Sequence, residues 1–504
     1  MRLLLVALIS VAMPGCHPAV QVAKPRPSAP GVAGPVSVDR ENPRYFHWKG
    51  KPMVFVASTE HYGAVINPAF DYETYLKTTQ ADGLNQVRIF LGDYIEDSRR
   101  FGITDNNLEP APGTQLTPWA RSATSGAADG GNKFDLNAWD PIYWARLHAF
   151  MRSAAEKGIV VEAVMFFVGM DWARSPLHAA NNINGTSQVT QTQVLTLNNG
   201  NLLERQKLYV HKLITELNGY DNVIFDLVNE PWFLNQEIIG FTSQPPTATK
   251  EWIRVASGWI RDAEANLRKR HVVTADCTNR GVALTQEELT GPYADLDGFN
   301  VHYDSFALSL LLNRNLGRPM TFNETGFQGP SDEPYLVDAW RYLLSGGALY
   351  GHLDYSFTVS SPDGTHQPSW SSHGYNGGGS PTLRKQLGGL QKFINSLPLN
   401  KMQPDDGVII EYGLGAAVAH HTLAWPGHLY ATFFPGEGEI KTAIQVPKGK
   451  WRVSWLSPQG ATVEKSEDVE VTRWGHALAP QVRSHGGLVL VLCSLSSGDC
   501  GGRT

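Results

Sequence analysis

Two glutamates of this chain, Glu230 and Glu324, each follow an asparagine at the end of a short apolar run. The runs are VIFDLVNEP over residues 223–231 and PMTFNETGF over residues 319–327, and their composition is typical of buried β-strands. Cleaving an acetal needs one carboxylic acid to protonate the leaving oxygen and one carboxylate to attack the anomeric carbon, roughly 5 Å apart. A single glutamate after a strand is more often a solvated loop residue, but two such sites in one chain favour catalysis.

Apolar runs that alternate with helical stretches predict the elements that position these glutamates. Eight runs have the character of strands, at residues 54–58, 86–91, 159–167, 223–228, 271–275, 298–302, 320–323 and 348–356. Five helices fit between them, at residues 72–81, 141–157, 203–217, 250–269 and 333–344. Continuously apolar strands indicate a parallel sheet covered on both faces, and eight is the number that closes a parallel barrel. We therefore predict an α/β fold with a (β/α)8 TIM barrel. The rival is an open doubly wound sheet, but no Gly-rich phosphate loop follows the first run.

Functional side chains of such a barrel lie at the C-terminal ends of its strands. Polar and aromatic residues recur at these ends: Glu60, His61, Arg88, Asp93, Asp171, Trp172, Asn229, Glu230, Asp276, His302, Tyr303, Asp304, Glu324, Asp354 and Tyr355. We expect some of them to be structural residues of the barrel mouth. Long polar insertions over residues 94–140 and 169–200 are expected to form the walls of a cleft.

The sequence changes character near residue 395, where short alternating strands with turn signals begin. These runs lie at residues 407–411, 416–421, 428–434, 439–446, 449–456, 467–471 and 487–493. Their spacing predicts an all-β sandwich domain over residues 395–493, after a catalytic barrel over residues 36–394 and before a tail over residues 494–504.

The first residues predict export from the cytoplasm. Residues 1–16 combine Arg2 with an apolar stretch from Leu3 to Ala12, which is typical of a signal peptide. Small residues before Cys16 are similar to a bacterial lipobox, although plain signal-peptide cleavage stays open. Residues 17–35 predict a Pro- and Ala-rich linker. The expected location is therefore the periplasm, outer membrane or cell surface with a lipid anchor on Cys16, or the secreted state.

Composition limits the kind of partner. A net charge of −6 with 18% charged residues provides no basic patch, which argues against nucleic acid, and 14 tryptophans fit stacking against sugar rings. Cys277 lies in an apolar run and is expected to be a buried thiol. Cys493 and Cys500 could close a small loop in an oxidising compartment. The cysteines do not have the spacing of a zinc site, and we expect neither a metal nor a cofactor.

The strand-end motifs resemble those of glycoside hydrolase clan A, the (β/α)8 retaining enzymes that include family 5. Asn229-Glu230-Pro231 resembles the acid/base motif after the fourth strand, and Glu324 matches the nucleophile after the seventh. Arg88 lies where the second strand carries a supporting arginine. Residues 39–61 are similar to the lead-in of the apiosidase-like group. Residues 449–460 are similar to a small β-domain that often follows such catalytic domains.

Two positions depart from the family 5 pattern. His302 is followed directly by Tyr303, where family 5 has His-x-Tyr. The eighth strand ends in Asp354-Tyr355 where the family carries a tryptophan, and Trp370 lies only in the loop beyond. The resemblance therefore indicates the mechanism better than the substrate.

The resemblance implies a retaining glycoside hydrolase that acts on an extracellular poly- or oligosaccharide. Glu230 would be the general acid and base, with a pKa raised by an apolar pocket that includes Trp232 or Phe233. Glu324 would be the nucleophile, kept ionised by Arg88. The other expected substrate-binding residues are Asn229, His61, His302, Tyr303, Trp172, Trp232, Asp354 and Tyr355.

Two alternatives remain open at this level. The chain could be a catalytically inactive carbohydrate-binding surface lipoprotein on a barrel scaffold, although both carboxylates are present. It could also be a metal-dependent hydrolase, although no strand supplies a His-x-His pair.

Overall fold

Parallel strands and helices form the larger part of the protein. The computed structural model describes residues 34–97, 102–103, 105–169, 171–234, 244–368, 377–411, 419–436, 438–440, 442–472, 477–478, 482–484, 487–496 and 500. All of them belong to one structural unit, Ala33–Thr504. The expected signal peptide, Cys16 and Trp370 lie outside the described residues.

Fourteen strands precede residue 354 in the part of the chain that the structure describes. They are β1 Ser37–Val38, β2 Phe46–Trp48, β3 Lys51–Met53, β4 Phe55–Thr59, β5 Gln86–Phe90, β6 Trp119–Ser125, β7 Asn132–Trp139, β8 Val160–Phe167, β9 Val223–Asn229, β10 Val272–Thr274, β11 Asp276–Asn279, β12 Phe299–His302, β13 Met320–Thr325 and β14 Leu349–Leu353. Strands β1 to β3 form a small antiparallel sheet before the first long strand.

The predicted parallel strands form two sheets. Their strand orders are β10-β9-β8-β5 and β11-β12-β13-β14-β4, and every pairing within them is parallel. The fifth strand that we predicted, residues 271–275, corresponds to β10. After Ala275 the chain continues as β11, which we did not predict and which pairs in the other sheet. The other edge strands of the two sheets are β5 and β4. Asn85, the residue before β5, connects them: its Oδ1 accepts from Val56 N at 2.8 Å, and its Nδ2 donates to Val54 O at 3.0 Å.

Eight α-helices lie in the described part of the chain. They are α1 Tyr72–Ala81, α2 Pro141–Glu156, α3 Leu202–Leu217, α4 Thr247–Glu264, α5 Gln286–Thr290, α6 Leu308–Leu312, α7 Glu333–Leu344 and α8 Pro381–Ile394. The five predicted helices are present with small shifts at their ends. Local capping explains several starts, because Asp71, Asp140 and Ser380 accept hydrogen bonds from the first turns of α1, α2 and α8. None of the helices in the described residues is long and apolar enough to cross a membrane.

The insertion between β5 and α2, which we predicted to be loop, contains the antiparallel hairpin of β6 and β7. The hairpin was missed because its strands are mostly polar and exposed. Only a few side chains, such as Trp119, Phe134 and Leu136, reach the main hydrophobic core. Short 3-10 helices occupy residues Trp172–Arg174 and Gln191–Gln193 of the second insertion.

Antiparallel strands make up the C-terminal part. They are β15 Gln403–Pro404, β16 Ile409–Glu411, β17 His421–Trp425, β18 Leu429–Phe434, β19 Gly438–Ile440, β20 Thr442–Ile444, β21 Gly449–Ser457, β22 Thr462–Val471, β23 Ala477–Leu478, β24 Val482–Ser484 and β25 Leu488–Ser494. Six form one sheet in the order β15-β17-β18-β25-β21-β22, and the others form two small sheets. Residues 416–418 of the strand expected at residues 416–421 lie outside the described residues, and β17 begins at His421. A disulfide joins Cys493 to Cys500, and Cys277 is a buried free thiol.

Trp340 of α7 connects the helices to the C-terminal sheet. The indole is fully buried, and its Nε1 donates to Pro458 O at 3.0 Å. Its ring centroid lies 5.9 Å from that of Phe433 in β18 and 5.5 Å from that of Phe393 in α8. One hydrophobic core therefore includes residues of α7, α8 and the C-terminal sheet.

Candidate active site

A cavity of about 530 Å³ lies at the carboxyl ends of the parallel strands. Glu230 follows β9 directly. Glu324 is the penultimate residue of β13, a strand of the other parallel sheet. Because parallel strands end at the same edge of a sheet, both carboxyl groups reach this cavity. One carboxylate oxygen of each lies within 4.8 Å of the other.

Glu324 accepts three hydrogen bonds. Tyr303 donates its hydroxyl hydrogen to Oε1 at 2.7 Å, Tyr62 donates to Oε2 at 2.8 Å, and Arg88 Nη1 donates to Oε2 at 3.0 Å. Burial raises the pKa of this carboxyl, but the positive charges of His302 and Arg88 outweigh burial and hold the pKa below its usual value. Glu324 is therefore an ionised carboxylate with both oxygens held in place.

The pKa of Glu230 is shifted in the opposite direction from that of Glu324. Its side chain is buried, and burial together with the negative charge of Glu324 raises its pKa to about 7. Its Oε1 lies 2.9 Å from Nδ1 of His302, and its backbone N–H donates to Asp276 Oδ2 at 2.8 Å. At neutral pH a large share of Glu230 therefore carries a proton, next to a carboxylate that does not.

His302 lies between the two glutamates and a third acid. Its Nδ1 is 2.9 Å from Glu230 Oε1 and 3.7 Å from Glu324 Oε1, and its Nε2 is 2.9 Å from Asp276 Oδ2. Burial lowers the pKa of His302, but Asp276 and Glu324 raise it well above the usual value. The imidazole is therefore a cation that orients Glu230. Trp232 packs edge-on against this ring, with 5.2 Å between centroids.

Arg88 supplies the second buried cation. Its Nη2 donates to Asp226 Oδ2 at 2.9 Å and to Asn229 Oδ1 at 2.7 Å, and its Nε lies 3.8 Å from Glu162 Oε1. The guanidinium also lies over the ring of Tyr62, 4.9 Å from its centroid. This side chain therefore fixes Asn229 and Glu324 at the same time.

The acids behind Arg88 divide into two kinds. Burial raises the pKa of Asp226 well above its usual value and raises that of Glu162 as well. The pKa of Asp276 is lowered, because the charge of His302 outweighs its burial. Two cations thus face two acids whose pKa values are lowered, Asp276 and Glu324, while burial disfavours the charged forms of Asp226 and Glu162. Such a balance avoids an unpaired buried charge.

Left-handed backbone at several non-glycine residues aims side chains into the cavity. The φ angles are 46° at Glu230, 53° at Tyr62, 54° at Tyr303 and 60° at Phe327. Side chains with a Cβ atom rarely adopt this region, and such residues cluster at functional sites. The turn at Tyr62 is held by Glu60, whose carboxylate accepts from the N–H groups of residues 63 and 64 at 2.9 Å each.

The structure brings most of the expected site residues together. His61, Asn229, Tyr303 and Tyr355 line the cavity with the two glutamates, and Arg88 and His302 lie directly behind them. Tyr62, which we did not expect from the sequence, belongs to this set. Its signal was weak, because it stands beyond Glu60 and His61 and reaches the site only through its left-handed backbone.

Three expected substrate-binding residues do not line this cavity. Trp172 is buried in its 3-10 helix, where Nε1 donates to Val189 O at 3.4 Å. Trp232 packs behind His302. Asp354 is fully buried and paired with Arg384, at 2.9 Å from Nη1 to Oδ2, so its carboxylate is already occupied. We therefore no longer count these three side chains among the substrate contacts.

Glu230, His302 and Glu324 also have the arrangement of a potential metal site. One ligand atom of each lies within 4.8 Å of the others. Every one of these groups has a partner in the protein, and a cationic His302 cannot act as a ligand until it loses a proton. The three side chains therefore suit two glutamates held by hydrogen bonds from the protein better than they suit a metal site.

Comparison with known proteins extends these findings. A family described as a domain of unknown function (DUF6298) matches residues 103–196, which include the β6–β7 hairpin, α2 and β8. No curated protein sequence is significantly similar to the chain. This match covers most of the insertion of residues 94–140 and most of the insertion of residues 169–200.

Solved structures of glycoside hydrolases are similar over nearly the whole chain. A glycoside hydrolase family 5 protein from Bacteroides vulgatus has a TM-score of 0.62 at 15% identity, covering 94% of this chain and 96% of its own. Another glycoside hydrolase has a TM-score of 0.60 at 13% identity, covering 92% of this chain and 98% of its own. The expected resemblance to glycoside hydrolases is confirmed in the fold, and the chain has the α/β fold of these proteins.

Proposed function

We propose that this protein is a retaining glycoside hydrolase that cleaves an extracellular poly- or oligosaccharide, with Glu230 as acid and base and Glu324 as nucleophile. The observation that carries the proposal is the pair itself. One carboxylate oxygen of Glu230 lies within 4.8 Å of one carboxylate oxygen of Glu324. The pKa of Glu230 is raised to about 7, while that of Glu324 is lowered. Retaining glycosidases place their carboxyl groups about 5 to 5.5 Å apart, whereas inverting enzymes leave room for a water at about 6.5 to 9.5 Å.

In the first step, Glu324 attacks the anomeric carbon and Glu230 gives its proton to the departing oxygen. The bond from the anomeric carbon to the leaving group breaks, and an ester to Glu324 forms. Arg88, Tyr62 and Tyr303 hold the attacking carboxylate in one orientation, which lowers the entropic part of the barrier. Asn229, bonded through Oδ1 to Arg88, keeps its NH₂ group for a sugar hydroxyl.

The second step uses a change in the charge of Glu324. Esterification removes the negative charge that raises the pKa of Glu230, while the cation of His302 remains and lowers it. Glu230 therefore stays a carboxylate after giving up its proton. It takes a proton from a water molecule that attacks the anomeric carbon from the side that the leaving group vacated, and the bond from that carbon to Glu324 breaks, which frees the Glu324 carboxylate. The sugar leaves with its original anomeric configuration.

The wider organisation follows the same proposal. The two parallel sheets would close into a (β/α)8 barrel over residues 36–394, and the C-terminal strands would form a sandwich domain over residues 395–493. Export, with a lipid anchor on Cys16 or as a secreted protein, would bring the site to its carbohydrate. Neither a metal nor a cofactor takes part in these steps.

A screen of aryl glycosides and of plant and microbial polysaccharides tests the proposal. We expect hydrolysis of at least one glycoside, with retention seen by proton NMR of the first-formed sugar. An inverted product would contradict the retaining mechanism. Binding of a carbohydrate without hydrolysis of any substrate would favour the inactive carbohydrate-binding protein. Loss of activity with a chelator, restored by a divalent metal, would favour a metal-dependent hydrolase.

A further inference from the structure

The two ends of the cavity differ in burial and in chemistry. At one end the wall is a packed aromatic cluster that includes Tyr62, Phe90, Tyr94 and Tyr355. Phe167 closes against it, with 4.4 Å between its ring centroid and that of Tyr94. The first insertion contributes described residues to this closed end, and each is no more than 3% exposed: Tyr94, Glu96 and Leu108.

Polar atoms without partners occur at this closed end. Neither Nδ1 of His61 nor the hydroxyl of Tyr355 has a hydrogen-bond partner among the described residues. Leaving a buried polar group unpaired is unfavourable, so a ligand that pairs with these atoms gains affinity. Glu96 adds a carboxylate, 3.6 Å from Nε2 of His61. These groups suit the hydroxyls of one sugar ring, since a hydroxyl both donates and accepts.

The opposite end is apolar and exposed. Phe306 is 81% exposed and Phe233 is 40% exposed, and both line the cavity together with Leu308. Arg341 lies under the Phe306 ring, 5.6 Å from its centroid, which supports the ring from the protein side. A side chain of this size that is exposed at the rim of a cavity is typical of a binding surface.

The candidate catalytic residues fix the direction between the two ends. Glu324 accepts a hydrogen bond from Tyr62 of the closed end. Glu230 belongs to the same short turn as Phe233, whose N–H donates to the backbone oxygen of Glu230 at 3.1 Å. Since the general acid stands next to the departing oxygen, the leaving group lies toward Phe233 and Phe306.

We propose that the enzyme acts on chain ends, binding one terminal sugar at the closed end and a leaving group with an apolar ring face against Phe233 and Phe306. This inference rests on the proposed function and adds the position of cleavage and the character of the leaving group. An aromatic aglycone and the apolar face of a second sugar share this chemistry.

Product analysis tests the position of cleavage. Oligosaccharides of the sugar found in the screen should yield, from the earliest time points, only the monosaccharide and a chain shortened by one residue. Products of intermediate length at the earliest times would overturn the proposal while leaving the glycosidase assignment intact. Failure to hydrolyse any glycoside would overturn both.

Phe306→Ala tests the leaving-group site, with Leu311→Ala as the matched control. Leu311 is 56% exposed in α6, the short helix that begins two residues after Phe306, and it does not line the cavity. The variant-to-wild-type ratio of kcat/KM should fall about tenfold for aryl glycosides or for disaccharides, and less than about twofold for glycerol or methyl glycosides. Comparing the variant with the wild type on the same substrate cancels differences in leaving-group acidity. A loss confined to aryl glycosides would indicate an aromatic aglycone, and a loss on disaccharides would indicate a second sugar. An equal loss on all substrates, or none on any, would overturn the proposal.

Discussion

Arg88 donates from Nη1 to Oε2 of Glu324 over 3.0 Å, although 236 positions separate the two residues in the sequence. The bond joins strands of the two different parallel sheets, β5 and β13. Because the guanidinium is also bonded to Asp226 and Asn229, it cannot follow a displaced Glu324 without breaking other buried bonds. The position of the candidate nucleophile is thus determined by contacts across the fold.

Glu324→Ala should lower kcat by about 10⁴ to 10⁶ without unfolding the protein, because no other carboxylate of the described site can replace the attacking group. Sodium azide should restore turnover of aryl glycosides by attacking from the vacated side. Steady-state kinetics with and without azide measure both effects, with azide added to the wild type as the control. Near-normal activity without azide would show that Glu324 is not the nucleophile.

Glu230→Ala should discriminate between substrates by their leaving groups. A general acid contributes about 10² to 10⁴ to the rate when the leaving group needs a proton. We therefore expect a loss of that size on alkyl glycosides and a much smaller loss on nitrophenyl glycosides. The measurement is kcat/KM across a series of leaving-group acidities. The same loss on every member would contradict the acid role.

The dependence of kcat/KM on pH should be bell-shaped. Activity should fall as pH rises through about 7, where Glu230 loses its proton, and as pH falls through the lowered pKa of Glu324, where the nucleophile becomes neutral. Replacing Glu230 by alanine should remove the alkaline limb and leave the acidic limb. An alkaline limb that persists in this variant would point to another acid, with Asp304 at the cavity as the next candidate.

Tyr62→Phe should slow the reaction and move the acidic limb to higher pH. The variant removes one of three donors to Glu324, and a hydrogen bond to a charged group contributes about 1.5 to 3 kcal/mol. We expect kcat/KM to fall by about 10- to 100-fold. Tyr350→Phe is the matched control, because its buried hydroxyl donates to Tyr335 O at 2.7 Å, away from the cavity. Equal pH profiles for both variants would contradict the role of Tyr62.

Trp340→Ala should destabilise helices α7 and α8 and the C-terminal sheet together. Removing a fully buried tryptophan typically costs about 3 to 5 kcal/mol, and this one packs on both parts. Calorimetry should show a single transition at lower temperature. Arg452→Ala, which removes an exposed pair with Asp468 on the C-terminal sheet, is the control and should change stability little. Two separated transitions in the Trp340 variant would indicate that the parts unfold independently.

Most of the strand ends could be predicted because their signal is local. The apolar runs that lead to Arg88, Glu230 and Glu324 mark buried strands, and parallel strands bring their carboxyl ends to one edge. Strand β11 was missed because its residues 276–279 are mostly polar and lie beyond the apolar run of residues 271–275 that predicted β10.

The direction of a side chain beyond a strand end depends on distant partners and on the backbone. Asp354 was expected in the cavity, but Arg384, thirty positions later, holds it in the core. Trp232 directly follows the strand-end motif Asn229-Glu230-Pro231, yet its ring turns behind His302. Tyr62 was missed because only its left-handed φ of 53° brings its hydroxyl to Glu324.

The left-handed conformations at Glu230, Tyr62 and Tyr303 have a consequence for protein engineering. Each such residue stores about 1 to 3 kcal/mol that the rest of the fold must offset. Selection for heat resistance alone would favour glycine or asparagine at these positions, since those residues adopt this conformation most easily. The same substitutions would remove the groups on which turnover depends. A thermostable variant of this protein should therefore be sought in the outer helices and loops, with these three positions held fixed.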